Sequence, residues 1–405
     1  MRVVQNHTEL KSLCEELEKQ QFITVDTEFV REKTYYPKLC LIQVGWREDA
    51  AIIDPLAFDL NLKPFIAILT NENILKVFHS ARQDIEVFYH LSGKIPHPLF
   101  DTQIAASVCG FGRAVSYEVL VQSITKVELD KSSRLTDWSL RPLDEKQLEY
   151  ALRDVTFLIP CYDYLVQYLE EHNRLHWIND ETNDLLEESH YKIDPEKAWQ
   201  KIKHSVHSAH FLSALQGLAA WREKRAMKFD VPRRSIIKDE ILVSIAASMP
   251  KTIDDMKQVR NIRPDTATGK LGEEILAVLN EIRHKPISQE LKKIDRAKHV
   301  HIPCGAAALT EVLKLLLRIK CEQEGVIQSV VADEEDIRNL ACGNDKDNPV
   351  LQGWRYELFG KEALAFRKGL ADLSYDTIKK QIVVTVKQKK KKNKLQSECE
   401  EQEAE

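Results

Sequence analysis

The stretch FITVDTEFVR, residues 22–31, decides the reading of this chain. The apolar run before Asp26 predicts a short buried strand. Side chains at i and i+2 of a strand share a face, so Asp26 and Glu28 converge on one point. Two like charges at a strand end are costly unless something positive lies between them. The other reading is an exposed edge pair. The apolar ITV ahead of the pair and Phe29 behind it argue against that.

The flanking chain alternates in pattern. HTELKSLCEELEKQ predicts a capped amphipathic helix, LCLIQVGW and AAIIDPLA predict strands, and LKPFIAILTN predicts a helix. ILKVFHS reads as another strand, with HS capping the helix ARQDIEVFYHLSG. After LFDTQIAASVCGFG the pattern turns mostly helical. Residues 1–190 therefore predict an α/β domain, a sheet covered by helices. A linker covers roughly residues 190–205. Residues 206–288 predict a small helical bundle. Residues 300–382 predict a second one of similar order, and the charged run 387–405 predicts a disordered tail.

Composition narrows the class. The 405 residues are 43% hydrophobic and 30% charged, with net charge -5, as expected of a soluble protein of two or three domains. No apolar run is long enough for a membrane span, and the first residues do not form a secretory signal. The eight cysteines are scattered without CxxC spacing, which fits free thiols in a reducing cytoplasm better than disulfides or zinc. A negative total does not exclude nucleic acid, because local patches bind phosphate.

Two further segments carry candidate acids. Asp84 falls in the first turns of the helix after HS, a place that suits any aspartate on dipole grounds. In QLEYALRDV, Tyr150 and Asp154 are four apart and share a helix face. Asp101 reads as a helix cap and His79 as a capping or packing residue. Four carboxylates from three separated segments, with one tyrosine, suggest a site for two Mg²⁺ or Mn²⁺ ions. Such a pair, roughly 4 Å apart, can clamp a phosphodiester.

VDTEF, HSARQD and YALRD together resemble the three motifs of the DEDD exonuclease superfamily, tyrosine subclass. DTEFVREKTYYPKLCLIQV and LTDWSLRPLDEKQLEYALRDV are similar to the corresponding regions of the ribonuclease D family. One departure is Thr136, where that family is expected to carry serine. The two helical regions resemble helicase-and-RNase-D C-terminal (HRDC) modules, with GWRYELFG the clearest piece of the second.

The resemblance implies a ribonuclease H-like mixed-sheet exonuclease domain followed by two small all-helical HRDC-like domains. It implies that Asp26, Glu28, Asp84 and Asp154 hold two divalent metal ions. Tyr150 would orient the attacking water or help remove its proton, and Glu28 would meet the terminal 3' hydroxyl. The expected activity is 3'-5' hydrolysis of RNA with a single-stranded 3' end, releasing nucleoside 5'-monophosphates. The implied substrates are tRNA precursors and the implied state is a monomer. The rivals are a DNA exonuclease and an inactive RNA-binding scaffold. Phe29, Arg31 and Tyr35 follow the first motif and are candidates to line the entry for the 3' end, with Phe29 read either as a wedge against the terminal base or as core packing. Arg222, Lys224, Arg225, Lys228, Arg233 and Arg234, interrupted by Glu223 and Asp230, read either as a phosphate-tracking patch or as a solvated helix face.

Overall fold

The computed structural model describes residues 1–130, 136–206, 208–296 and 303–386. Six strands form one mixed sheet: β1 (Arg2–Val4), β2 (Phe22–Val30), β3 (Lys38–Gly45), β4 (Ala50–Ile53), β5 (Leu75–Phe78) and β6 (Leu99–Asp101). Their order is β1-β4-β3-β2-β5-β6. β2 runs antiparallel to β3, and β3 antiparallel to β4. The pairs β2/β5, β5/β6 and β1/β4 are parallel. Patterning located β2 to β5. The edges β1 and β6 are three residues each, too short to show a period.

Seven helices accompany the sheet: α1 (His7–Leu17), α2 (Lys63–Leu69), α3 (Arg82–Ser92), α4 (Thr102–Val108), α5 (Tyr117–Thr125), α6 (Glu145–Thr156) and α7 (Leu158–Glu171). α1 starts where Asn6 accepts from the Glu9 amide at 3.0 Å, and it buries Leu10, Leu13, Cys14 and Leu17, one helical stripe. That stripe packs with Ile23 and Val25 of β2 and with Ile85 and Phe88 of α3. The opposite face of the sheet holds Leu41, Ile52, Trp138 and Ala151 of α6. Alternation along β2 therefore aims Asp26 and Glu28 toward the α6 side.

α6 is fixed at its start in two ways. Asp144 and Gln147 form a reciprocal capping box at 2.8 and 3.0 Å, which contributes about 1 kcal/mol. Just before it, Arg141 grips both oxygens of buried Asp54 at 2.8 and 2.7 Å and donates to the Cys40 carbonyl. Thr136 accepts from the Gln147 side-chain amide at 3.0 Å, so its hydroxyl serves where serine was expected.

By contact density the described residues of 1–105, 115–172 and 181–301 form one compact unit, and those of 106–114, 173–180 and 302–405 another. The first unit includes a helical module with α8 (Ala209–Phe229), α9 (Asp239–Ser248) and α10 (Lys270–His284). Leu215, Leu218, Leu242, Ile245, Ile275 and Leu279 form its core, joined by Trp199 and Ile202 from the segment read as a linker.

The second unit is built on the helices Ala306–Glu324 and Glu334–Cys342. In it Arg174, buried, donates to the Val108 and Glu324 carbonyls, and Trp177 stacks on Trp354 at 4.7 Å. One expectation needs correcting here. The region is not all-helical, because Ala371–Asp376 and Gln381–Val386 pair as an antiparallel hairpin. The β-branched run in QIVVTV favours a strand over a helix. The tail 387–405 lies outside the described residues.

Candidate active site

β2 carries the first two acids to the α6 side. Between Glu28 and Phe29 the pairing register with β3 jumps from Leu41 to Leu39, leaving Cys40 as the extra residue of a bulge. Bulges of this kind bend a strand and re-aim its side chains. α6 lies over this face and delivers Asp154, with Tyr150 one turn earlier. Asp26, Glu28 and Asp154, all partly buried, each offer an oxygen within 4.8 Å of the others.

α3 delivers Asp84 from the other face. It is buried, lies outside that group of three, and accepts from the Thr27 hydroxyl. The start of α3 is held by Asp101, which accepts from the Ser80 and Ala81 amides at 3.1 and 2.8 Å. Asp101 also accepts from the Gln103 and Ile104 amides, which cap α4. The cap read on Asp101 is thus present, whereas Ser80, expected to cap α3, instead takes a left-handed φ of 62°. His79 packs, bonded to Thr102 at 2.9 Å and to the Val115 carbonyl at 3.1 Å.

Burial dominates the electrostatics of the cluster. Burial pushes the Asp26 carboxyl up to about 7. Burial, and then the charge of Asp26, holds Asp84 well above the carboxylate range, against the Thr27 hydrogen bond. The Tyr150 phenol is raised by burial and then by Asp154, Glu28 and Asp26, so its hydroxyl remains a donor at neutral pH. The oxygens of the three acids are hard donors, gathered within 4.8 Å of one another. That donor set fits Mg²⁺ or Mn²⁺ and does not fit zinc.

Two nearby residues escaped the sequence reading. Tyr117, at the start of α5, is raised by burial and then by Asp154, and donates to the Arg153 carbonyl at 2.8 Å. Its signal was slight, a tyrosine after the cap residue Ser116. Gln43, paired across the ladder with Asp26, is fully buried, and neither of its amide atoms has a protein partner. Its signal was a polar residue in the apolar run LCLIQVGW.

The residues expected to grip substrate fall into two groups. Most are bound to acids of the same unit. Arg31 forms a fork with Glu86. The Tyr35 hydroxyl donates to Glu223, whose two oxygens also take Arg233 at 2.6 Å each. Asp230 accepts from the Tyr35 and Tyr36 amides at 3.0 and 3.1 Å. Thus Glu223 and Asp230, which looked like interruptions in a basic run, fasten the β2–β3 connection to α8. Arg222, almost fully buried, pairs with Asp239 at 2.6 Å; Lys224 pairs with Glu196 at 2.8 Å and Arg225 with Glu274 at 2.5 Å. Lys228 and Arg234 are exposed, with no ion pair among the described residues, and Phe29 is partly buried just past the bulge.

Acids from a strand and two helices, with a tyrosine one turn before the last, agree with the 3'-5' exonuclease class. A family model described as 3'-5' exonuclease matches residues 1–170, and an HRDC domain model matches residues 211–279. Ribonuclease D of Bartonella henselae is 42% identical over 371 residues, covering 91% of this chain and 90% of its own. Ribonuclease D of Granulibacter bethesdensis is 39% identical over 380 residues, covering 93% and 95%. The crystal structure of Escherichia coli RNase D, described as an exoribonuclease involved in structured RNA processing, aligns with a TM-score of 0.76 at 29% identity, over 91% of this chain and 98% of that one. The chain belongs to the ribonuclease D family and is a 3'-5' exoribonuclease. One HRDC domain is supported, within the first helical module. Among the described residues no helix is long and apolar enough to cross a membrane.

Proposed function

We propose that the chain removes nucleoside 5'-monophosphates one at a time from single-stranded RNA 3' ends, with Asp26, Glu28, Asp84 and Asp154 holding two Mg²⁺ or Mn²⁺ ions. The observation that carries this reading is the convergence of three carboxylates, each offering an oxygen within 4.8 Å of the others. When bound, the ions supply a water of lowered pKa and stabilise the leaving 3' oxygen. The protein's own part is placement. Tyr150 keeps its proton and orients the water by donating to or accepting from it, so direct proton removal by this phenol is the less favoured of its two expected roles. Glu28, nearest the bulge, meets the terminal 3' hydroxyl.

A cleft of about 1160 Å³ is lined by Arg31 and the β2–β3 connection, Arg82 and Glu86 of α3, residues 189–202, Arg222 and Glu223 of α8, and the start of α9. Nine Lys or Arg and six Asp or Glu line it, an excess of positive charge in a chain that is negative overall. Arg82, Lys192, Lys201, Arg234 and Lys238 give it a surface that suits a phosphate backbone. We assign the RNA track there, with Phe29 against the terminal base and Lys228 at the margin. Arg31, Tyr35, Arg222, Lys224, Arg225 and Arg233 act mainly by holding the walls in place. The third region serves as a second, divergent HRDC-like holder. The working form is a cytoplasmic monomer, and tRNA precursors and other small stable RNAs are the substrates proposed.

Matched RNA and DNA strands with free 3' ends, each with Mg²⁺ and with EDTA, test this reading. A ladder of shortened RNA only with metal is the expected result. Degradation of DNA alone would move the function to DNA, and metal-independent shortening would remove the cations from the mechanism.

A further inference from the structure

β2 carries threonines at positions 24 and 27. A spacing of three puts their side chains on opposite faces of the strand. Each reaches the helix that brings in a distant carboxylate. Thr24, fully buried, donates to the Val155 carbonyl at 2.9 Å, and Val155 follows Asp154 on α6. Thr27, also buried, donates to the Asp84 carboxylate on α3. Tyr117 donates to the Arg153 carbonyl at 2.8 Å, on the other side of Asp154. The carbonyls before and after Asp154 thus each take a hydroxyl from a different element. Gly45 makes room for this, standing opposite Thr24 in the β2/β3 register. A Cβ there would lie 2.6 Å from Thr24 Oγ1 and 3.2 Å from the Val155 carbonyl oxygen.

These bonds do something that the apolar contacts of α6 cannot. Ala151 and Val155 press the helix onto the sheet, but dispersion and burial have little direction along the helix axis. With the oxygens of Asp26, Glu28 and Asp154 within 4.8 Å of one another, a small shift of the helix changes the whole ligand set. A directional hydrogen bond on either side of Asp154 resists such a shift and fixes where its oxygens stand.

We propose that Thr24, Thr27 and Tyr117 are positioning residues which set the separation between the strand carboxylates Asp26 and Glu28 and the helix carboxylates Asp154 and Asp84, and thereby the affinity of the site for a divalent cation. This rests on the reading of those four acids as the cation site. None of the three hydroxyl residues touches substrate. They act through the acids, as groups behind metal ligands commonly do, where loss costs about 10–100-fold in affinity.

The test is Mn²⁺ binding to the full chain without RNA, read from the electron paramagnetic resonance signal of free Mn²⁺. Thr24→Val keeps shape and removes the donor; Thr24→Ser keeps the donor and removes a methyl. Thr24→Val is expected to weaken Mn²⁺ about tenfold or more, while Thr24→Ser stays within about threefold of the parent. The KM for RNA should hold, and the kcat of Thr24→Val should recover at high Mn²⁺. Parent-like Mn²⁺ binding in Thr24→Val overturns the inference, and so does an equal loss in Thr24→Ser, since packing would then be the cause. Should Thr24→Val not fold, Tyr117→Phe carries the same test by loss of one hydroxyl. Asp26→Asn, run alongside, separates the two levels. If it too binds Mn²⁺ as the parent does, the cation-site reading fails; if it alone loses Mn²⁺, only the positioning inference fails.

Discussion

The acids at the β2–α6 junction and the basic run at the end of α8 are each a local excess of one charge in the sequence, yet the fold treats them differently. At the junction, three carboxylates gather within 4.8 Å of one another. Along α8 and just after it, Arg222, Lys224, Arg225 and Arg233 each meet an acid of the same unit. Like charges gathered in a partly buried place offer a ligand set for a cation. Charge that is cancelled in place marks architecture. The second region reads as a patch only because its partners, Glu196, Asp239 and Glu274, lie 17 to 49 residues away along the chain.

The comparison breaks most visibly at Asp26. Asp26→Asn should lower turnover by at least about a thousandfold. In metal-free buffer it should melt no lower than the parent, because the amide relieves repulsion in the cluster. End-labelled RNA assays and a melting curve in EDTA check both halves. A variant that keeps its turnover, or loses several degrees of stability, would place Asp26 with the structural charges.

Much of this contrast was legible beforehand, for a physical reason. DTE lies in a strand and YALRD in a helix, so the periods of 2 and 3.6 fix which side chains share a face without knowledge of the tertiary fold. The order of motifs did the rest for Asp84, whose helix comes from the opposite side of the sheet. What local pattern could not reveal depended on contacts distant in sequence. Tyr35 reaches Glu223 across 188 positions, and Thr24 reaches Val155 across 131. No period in either segment points to those partners. The Asp54–Arg141 grip, 87 residues apart, was hidden in the same way. The terminal hairpin was missed for a different reason: the helical order of the third region was extended over a β-branched run that argued against it.

A smaller effect is expected at Glu223, on the architectural side. Glu223→Gln keeps the size of the side chain and removes its charge. The loss should be about 2 kcal/mol in denaturant unfolding, less than for a fully buried pair because Arg233 is 45% exposed. Turnover of a short single-stranded RNA should change by less than about threefold, equivalent to under about 0.7 kcal/mol. The difference should also depend on pH. Burial alone would raise the Glu223 carboxyl, but Arg233 and Tyr35 hold it below its ordinary 4.5. A depressed acid stabilises the fold above its unfolded pKa, and that contribution fades as pH falls through the folded value. Parent and Gln variant should therefore converge in stability only once the pH has fallen through the depressed folded pKa, below the ordinary 4.5. A gap that persists there would assign the effect to packing.

The smallest effect belongs to the cations that the fold leaves exposed. Lys228 and Arg234 flank the fastened Glu223–Arg233 pair, so an outward-facing remnant of the basic run survives on the module. If RNA passes there, each side chain neutralises about one phosphate and releases its counterion. Lys228→Ala with Arg234→Ala should raise KM about three- to fivefold, leave kcat in place, and cut the slope of log affinity against log salt by about one to two. Lys224→Ala is the control, since its ammonium is engaged by Glu196 and its removal should leave the slope nearly unchanged. Salt titrations of RNA binding with these two proteins give a direct comparison within one basic run. Equal slopes for the double variant and the control would mean that paired and exposed cations serve RNA alike, and the division between architectural and ligand-facing charge would then hold only at the acidic site.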